Sequence, residues 1–535
     1  MRLRYARALA GVLVLLMVAA IGTTSASGKP TPAPAYKLAT VGAYGGEPTI
    51  ASNTNGELYD TTPSGGTLLY KSTNHGSTWS QTTTADPSSG DDCVFTDQSN
   101  AVYECNLAGS ESAGPLQADV WKSIDDGKTW MYGTNAANIV LGSNVCGTSC
   151  SPFGVDRQWG AAYIPPGGTT NTATVLLAYH DFFGPSQIWV NVSTNGGSTF
   201  GDPTDVLTHF TVTSADQAAV AQADSACNTV PIGAEIARGG PHPGRMYVSW
   251  IASDPESPAT GCNVTMVQSF HNLFVAWSDD GGATWTPQLA YDAGVGHDAS
   301  TPFAAFTLDT QGNPYIGFAT PAPSDNPAVC AAESTAGTVQ SDPSCAYRMW
   351  VVWSNDGGST WDGGGGLDPG SAATAYEVDP GSSPQTDVFP AITAGRPGAV
   401  DVAWLRTNEI EPTDALGKFD AGGCAGPGPA NGNPTFYPPA CSWNLYASQS
   451  LNLTAAPGSA TWATTQITTT PVHIGDICNL GIFCLAPSSN RNLLDFISET
   501  VDPATGFAHV AYADDNTVNK LMAANQVSGP SILKP

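Results

Sequence analysis

Short apolar stretches of four to seven residues recur along the chain, many alternating with polar positions, and each is cut by Gly, Asn, Asp or Pro. That period of two predicts strands joined by tight turns, and no stretch carries the 3.6-residue period of a long amphipathic helix. Seven such strand pairs can be read. Glu47–Ser52 leads to Gly56–Tyr59, Cys93–Thr96 to Ala101–Tyr103, Asp156–Tyr163 to Thr174–Tyr179, and Ile232–Ala237 to Arg245–Trp250. Thr301–Phe306 leads to Pro314–Phe318, Asp387–Ile392 to Ala399–Trp404, and Leu494–Ser498 to Gly506–Tyr512.

A second pattern follows five of these pairs: Ser-x-Asp/Asn-x-Gly-x-Thr-aromatic. It comprises Ser72, Asn74, Gly76 and Trp79; Ser123, Asp125, Gly127 and Trp130; Ser193, Asn195, Gly197 and Phe200; Ser278, Asp280, Gly282 and Trp285; and Ser354, Asp356, Gly358 and Trp361. The Asp or Asn can accept hydrogen bonds from turn N–H groups and the Ser hydroxyl, Gly supplies the left-handed turn, and the aromatic ring anchors the returning strand. A sixth copy is worn down to Ser459-Ala-Thr-Trp462.

Two hairpins make four antiparallel strands, the content of one propeller blade. The expectation is therefore an all-β, disulfide-containing, single β-propeller of seven four-stranded blades, with six blades as the alternative. The last unit is one strand short, and Tyr36–Val41 is placed to supply it.

The five copies resemble the Asp-box, or BNR repeat, of the sialidase (neuraminidase) superfamily. The resemblance implies a propeller whose boxes are structural and lie on the face opposite the active site. It also implies glycans as ligands or substrates, and glycoside hydrolysis as the activity if the chain is an enzyme. The chain departs from the sialidase pattern where Gly45-Gly46-Glu47-Pro48-Thr49-Ile50 stands in place of the family's Arg-Ile-Pro motif, and it has no obvious arginine triad.

The first residues, Met-Arg-Leu-Arg-Tyr-Ala-Arg, precede an apolar stretch from Ala8 to Gly22 and the small residues Thr24-Ser25-Ala26. This reads as a secretory signal peptide over 1–26, cleaved near Ala26, with a Pro-rich leader over 27–36 and the propeller over 37–535. Twelve cysteines in an exported chain argue for disulfides. Neighbour pairing gives Cys93–Cys105, Cys146–Cys150, Cys227–Cys262, Cys330–Cys345, Cys424–Cys441 and Cys478–Cys484; only the first is fixed by symmetry, about a turn at Ser99. The formal charge of −28 makes nucleic acid and anionic membranes poor partners. Secretion without membrane insertion is expected, with a glycan or glycoconjugate as partner and another extracellular protein as the rival.

With the boxes on one face, residues at the starts of first strands and the ends of second strands converge on the other. Glu47, Asp60, Asp92, Glu235, Asp254, Asp298, Asp387, Asp514 and Asp515 then form a carboxylate-rich rim. Its distinctive members are Asp156, Arg157, His180, Asp181, Arg406, Arg491 and Asp495, taken as the candidate catalytic residues. Two carboxyl groups can work as acid and base or nucleophile on a glycosidic bond. Arg157, Arg406 and Arg491 can clamp a carboxylate. Trp159, Phe182, Phe183 and Trp250 can stack on a sugar, although blade packing explains Trp159 and Trp250 equally. No cofactor is expected, and structural calcium held by rim oxygens stays open. A non-catalytic scaffold or protein-binding propeller is the alternative function.

Overall fold

The computed structural model describes residues 32–63, 66–86, 90–108, 117–133, 155–181, 188–210, 229–252, 270–294, 297, 299, 303–325, 346–361, 375–379, 385–410, 442–455, 459–475, 477, 492–516 and 519–534. Their strands form seven antiparallel sheets, ordered from the axis outward along the chain in all but the last, whose outermost strand comes first in sequence. The innermost strands are Thr49–Ser52, Asp92–Thr96, Val155–Tyr163, Val230–Ile236, Ala305–Leu308, Gln385–Ala394 and Ser498–Val501 for blades 1 to 7. Neighbouring innermost strands touch all the way round, including the first with the last.

The expected closure is met. Ala35–Gly42 pairs antiparallel with Lys520–Ser528 as the outermost strand of blade 7, so one blade is built from both ends of the chain. The seventh inner strand starts later than the apolar pattern suggested, at Ser498 rather than Leu494, because Leu494 adopts a left-handed φ of 58°. Seven apolar clusters bridge the seven pairs of adjacent blades. They are unequal: 21 buried residues form the cluster between blades 4 and 5, whereas that between blades 7 and 1 has four, Val41, Tyr70, Leu521 and Ala523, with Leu68 and Trp79 packed against them.

Each five-residue-type turn sits between the third and fourth strands of blades 1 to 5. Ser278 shows the common scheme. Its hydroxyl donates to Asp280 Oδ1 at 2.8 Å and accepts the Gly282 N–H at 2.9 Å. Asp280 in turn accepts the Thr284 N–H at 2.9 Å and the Thr284 hydroxyl at 2.6 Å. Where Asn replaces Asp the last bond reverses, with the Asn74 and Asn195 amides donating to Thr78 and Thr199 at 2.9 and 2.7 Å. Phe200, Trp285 and Trp361 are buried beneath their turns, while Trp79 and Trp130 are half-buried.

Blade 6 carries the same device in stretched form. Ser450 donates to Asn452 Oδ1 at 3.4 Å, and Asn452 accepts the Thr461 N–H at 3.0 Å. The Thr461-Trp462 end was legible in the sequence; Ser450 and Asn452 were not, because five extra residues separate the halves.

A further repeat lies on the same face, between first and second strands: Asn53-x-x-Gly56-x-x-Tyr59, Asp97-x-x-Asn100-x-x-Tyr103 and Asp309-x-x-Gly312-x-x-Tyr315. Asp97 and Asp309 each accept two turn N–H groups and the tyrosine hydroxyl. Gly56, Asn100 and Gly312 hold the left-handed position with φ of 77°, 68° and 76°. Cys93 faces Cys105 across the blade 2 hairpin and is disulfide-bonded to it, with 5.0 Å between Cα atoms. The other ten cysteines lie outside the described residues.

Candidate site at the channel mouth

The innermost strands enclose a cavity of ≈ 430 Å³ along the ring axis, within the range of small-ligand sites. On the face opposite the turns, these strands begin irregularly. Among described residues other than glycine, φ is left-handed at seven positions. Three, His75, Asn100 and Asp126, lie in turns. The other four are Glu47 and Leu494, which precede innermost strands, and Arg157 and Phe389, which lie at register shifts within theirs. Register shifts mark bulges there in blades 3, 4 and 6. Bulges re-aim side chains, and left-handed backbone at non-glycine residues costs of order 1 to 3 kcal/mol, so both gather where function selects them.

Arg157 is the centre of this end. Its own N–H donates to Asp156 Oδ1 at 2.8 Å, which steadies the bulge. Gln158 donates to the Asp91 carbonyl of the preceding blade at 2.7 Å, and Trp159 donates to the Pro231 carbonyl of the next at 3.3 Å. The guanidinium carbon lies 3.5 Å from the Phe303 ring centre and 4.9 Å from that of Phe496. Those rings belong to the starts of blades 5 and 7, so only a side chain on the axis can reach both. Nη2 stands 3.6 Å from Asp495 Oδ2 and makes no hydrogen bond among the described residues. Trp159 and Phe496 sit 5.6 Å apart, closing an aromatic collar around the charge.

His180 is buried, with Nδ1 donating to the Thr229 carbonyl at 2.7 Å. Burial pushes its pKa down to about 4; the charge of Arg157 acts in the same direction and the Thr229 carbonyl opposes them. The imidazole is therefore neutral at physiological pH. The backbone of Asp181 pairs with Val155, and its side chain lies outside the described residues, as do Phe182, Phe183 and Arg491.

Arg406 is placed differently from the other candidates. Its guanidinium is bidentate to Asp387 at 2.6 and 2.8 Å and donates to Asp379 at 2.8 Å, between Trp404 and Tyr446. Two carboxylates saturate it, and no described contact joins it to Arg157. The structure thus brings together Asp156, Arg157, His180 and Asp495, and sets Arg406 in an ion pair of blades 5 and 6.

The rim reading of Asp60, Asp92 and Asp387 is corrected too. All three are buried among blade surfaces, and burial holds each carboxyl above its ordinary range. Glu235 lines the cavity wall, pushed up to about 7 by burial against the opposing pull of Arg238. Arg238 reaches across blade 3 to the Thr96 carbonyl of blade 2, and Leu533 from the C-terminal segment lines the same end of the cavity. Sequence reasoning missed Phe303 and Phe496. Each precedes its innermost strand by two residues, and aligning the strand starts would have shown Phe303 and Phe496 as one recurring aromatic position.

No family model and no curated protein matches the chain. Solved structures do. A PL25 ulvan lyase aligns at 12% identity over 92% of this chain and 97% of its own, with a TM-score of 0.46. The α-L-arabinanase of Penicillium chrysogenum aligns at 10% identity over 93% and 99%, TM-score 0.37. The NanB sialidase of Streptococcus pneumoniae aligns at 12% identity over 95% and 71%, TM-score 0.37. In fold, the chain is a seven-bladed β-propeller. Blade repetition does not carry an activity with it, so the propeller's chemistry is argued from its own channel mouth.

Proposed function

We propose that the propeller is a secreted glycan-acting protein that takes an anionic sugar unit at the channel mouth. One observation carries this reading: a buried guanidinium, held on left-handed backbone between two aromatic rings, has at Nη2 a 3.6 Å ion pair with Asp495 and no hydrogen bond among the described residues. Charge-assisted bonds from arginine suit a sugar carboxylate or sulfate, and the collar of Trp159, Phe303 and Phe496 suits the apolar face of a pyranose. Asp156 and Asp495 flank the same point and are the carboxyl groups available for hydrolysis there. Neutral His180 sits behind Arg157 and acts through it, as a positioning residue.

The test is a panel of neutral, uronic, sulfated and sialylated glycosides, measured for binding and turnover with the native chain and with Arg157→Ala. The expected result is at least a tenfold loss toward anionic members, with Tm little changed. Equal affinity of both proteins for every member would overturn the reading. Turnover that disappears in Asp495→Asn while binding persists would place hydrolysis at this mouth.

A further inference from the structure

Blade 7 differs from the other blades in being assembled from both chain ends and in having the thinnest apolar contact with its next neighbour. Its remaining attachment, to blade 6, contains a polar cluster that the channel-mouth site does not use. Asp401, on the second strand of blade 6, is fully buried. It accepts the Tyr36 hydroxyl from the closing strand at 2.9 Å and the Gln449 amide from its own blade at 3.1 Å. Facing it is Glu499, on the innermost strand of blade 7. Both carboxyl oxygens of Glu499 are buried, and no donor reaches either.

Two buried carboxyl groups facing each other are held together when one of them keeps a proton to donate. Among the described residues, no cation acts on the pair. The titratable groups that act on Glu499 and Asp401 are each other and Tyr36, the last from the strand Ala35–Gly42. The partner from Ser442–Ser450 is the neutral Gln449.

We propose that a proton shared by Asp401 and Glu499 fastens blade 7 to blade 6, making closure of the ring a pH-governed device that loosens as the pair ionises. Protonated Glu499 donates to Asp401, and Asp401 keeps the Tyr36 hydroxyl, so one proton ties the innermost strand, the closing strand and the neighbouring blade together. Loss of that proton leaves two anions face to face between blades. Because Glu499 also lines the axial cavity, loosening alters the channel wall as well as the closure. Burial, with Asp401 opposite, raises Glu499 well above its ordinary value, and burial raises Asp401 to about 6. A raised folded-state carboxyl gives stability that is complete below the unfolded value, about 4, and lost as pH rises toward the folded one.

Hydrogen-exchange protection factors of the full chain, measured from pH 5 to pH 9, test this. Protection in 35–42 and 520–528 should fall by about tenfold per pH unit while the folded pair alone holds the proton. Protection in 117–123 of blade 2, beside the buried Glu104, should be the same in the native chain and in Glu499→Gln. Glu499→Gln, which carries its own donor at every pH, should remove the extra fall in blade 7. Tyr36→Phe takes a donor from ionised Asp401 and should move the fall to higher pH, which keeps the idea testable if the Gln variant does not fold. A Gln variant whose blade 7 follows the native chain, or an unshifted Phe variant, would each overturn the proposal.

Discussion

The two ends of the same hairpins obey different rules. On the turn face, side chains of Ser, Asp, Asn and Thr close the chain on itself within a few residues, and every strained φ falls on Gly or on a turn residue suited to it. At the channel mouth, φ is left-handed at Glu47, Arg157, Phe389 and Leu494, none a residue that favours it, and partners come from other blades. Local closure makes the first end repeat. Long-range closure lets the second end vary blade by blade, so the repeated end is the frame and the irregular end is where selection has accepted backbone cost.

The strongest way to break this contrast is to remove an anchor from the frame. Trp285 is fully buried, its indole N–H donating to the Gly282 carbonyl at 3.0 Å. Trp285→Ala should cost about 3 to 5 kcal/mol in chemical denaturation while leaving the affinity of the folded fraction for any mouth ligand unchanged. A stable variant with lost binding would reverse the assignment of the two ends.

Legibility followed the same division. Hairpins, boxes, the Cys93–Cys105 link and the closing strand could be read because each rests on residues within a few positions of one another or on a count of strands. The sixth turn escaped because its insertion separates Ser450 from Thr461, and the Asp97 and Asp309 turns escaped because they share only three positions and vary at two of them. At the mouth, Arg157, Asp156, His180 and Asp495 were singled out from polarity at the starts of first strands and the end of a second, and the structure brings them together. Their aromatic partners were not, since no local pattern says that residues 157, 303 and 496 meet on an axis. Arg406 was misread for a related reason: polarity at a strand end does not reveal that Asp379 and Asp387 already hold it.

A second contrast concerns charge, and it gives an effect of intermediate size. Hydrogen bonds hold the Asp125, Asp280 and Asp356 carboxyls below their ordinary range, whereas burial holds Asp60, Asp92 and Glu104 above theirs. Glu104 is fully buried, Oε1 has no partner among described residues, and Oε2 accepts the Ala85 N–H at 3.0 Å. Burial raises its pKa to about 7, with Asp86 adding to the rise and the Ala85 and Asn106 bonds opposing it. The folded chain therefore loses stability as pH climbs from the unfolded value near 4 to about 7. Glu104→Gln should leave stability at pH 4.5 nearly unchanged and raise it at pH 8 by up to about 3 kcal/mol. Denaturation curves at the two pH values check this; the same increment at both would show that ionisation is not the cause.

The smallest effect is expected where the frame looks most constrained. Asp280 gives its name-type to the motif, yet Asn already occupies the equivalent position in two other turns and keeps the bonds to the following Thr by reversing one of them. Burial works to raise the Asp280 carboxyl, but the Thr284 hydroxyl, the Thr284 N–H and the Ser278 hydroxyl outweigh it, and the net shift is downward. A depressed folded-state carboxyl adds stability above its unfolded value and loses it as pH falls through the folded one. The group is largely exposed, so solvent screens most of that gain. Asp280→Asn should therefore cost no more than a few tenths of a kcal/mol at pH 6, and less as pH falls through the depressed value of the native carboxyl. Thermal melts of the two proteins that converge on acidification would confirm that the turn needs an acceptor facing Thr284 and only weakly needs its charge. A constant difference at every pH would mean that the carboxylate shape, and not its ionisation, holds the turn.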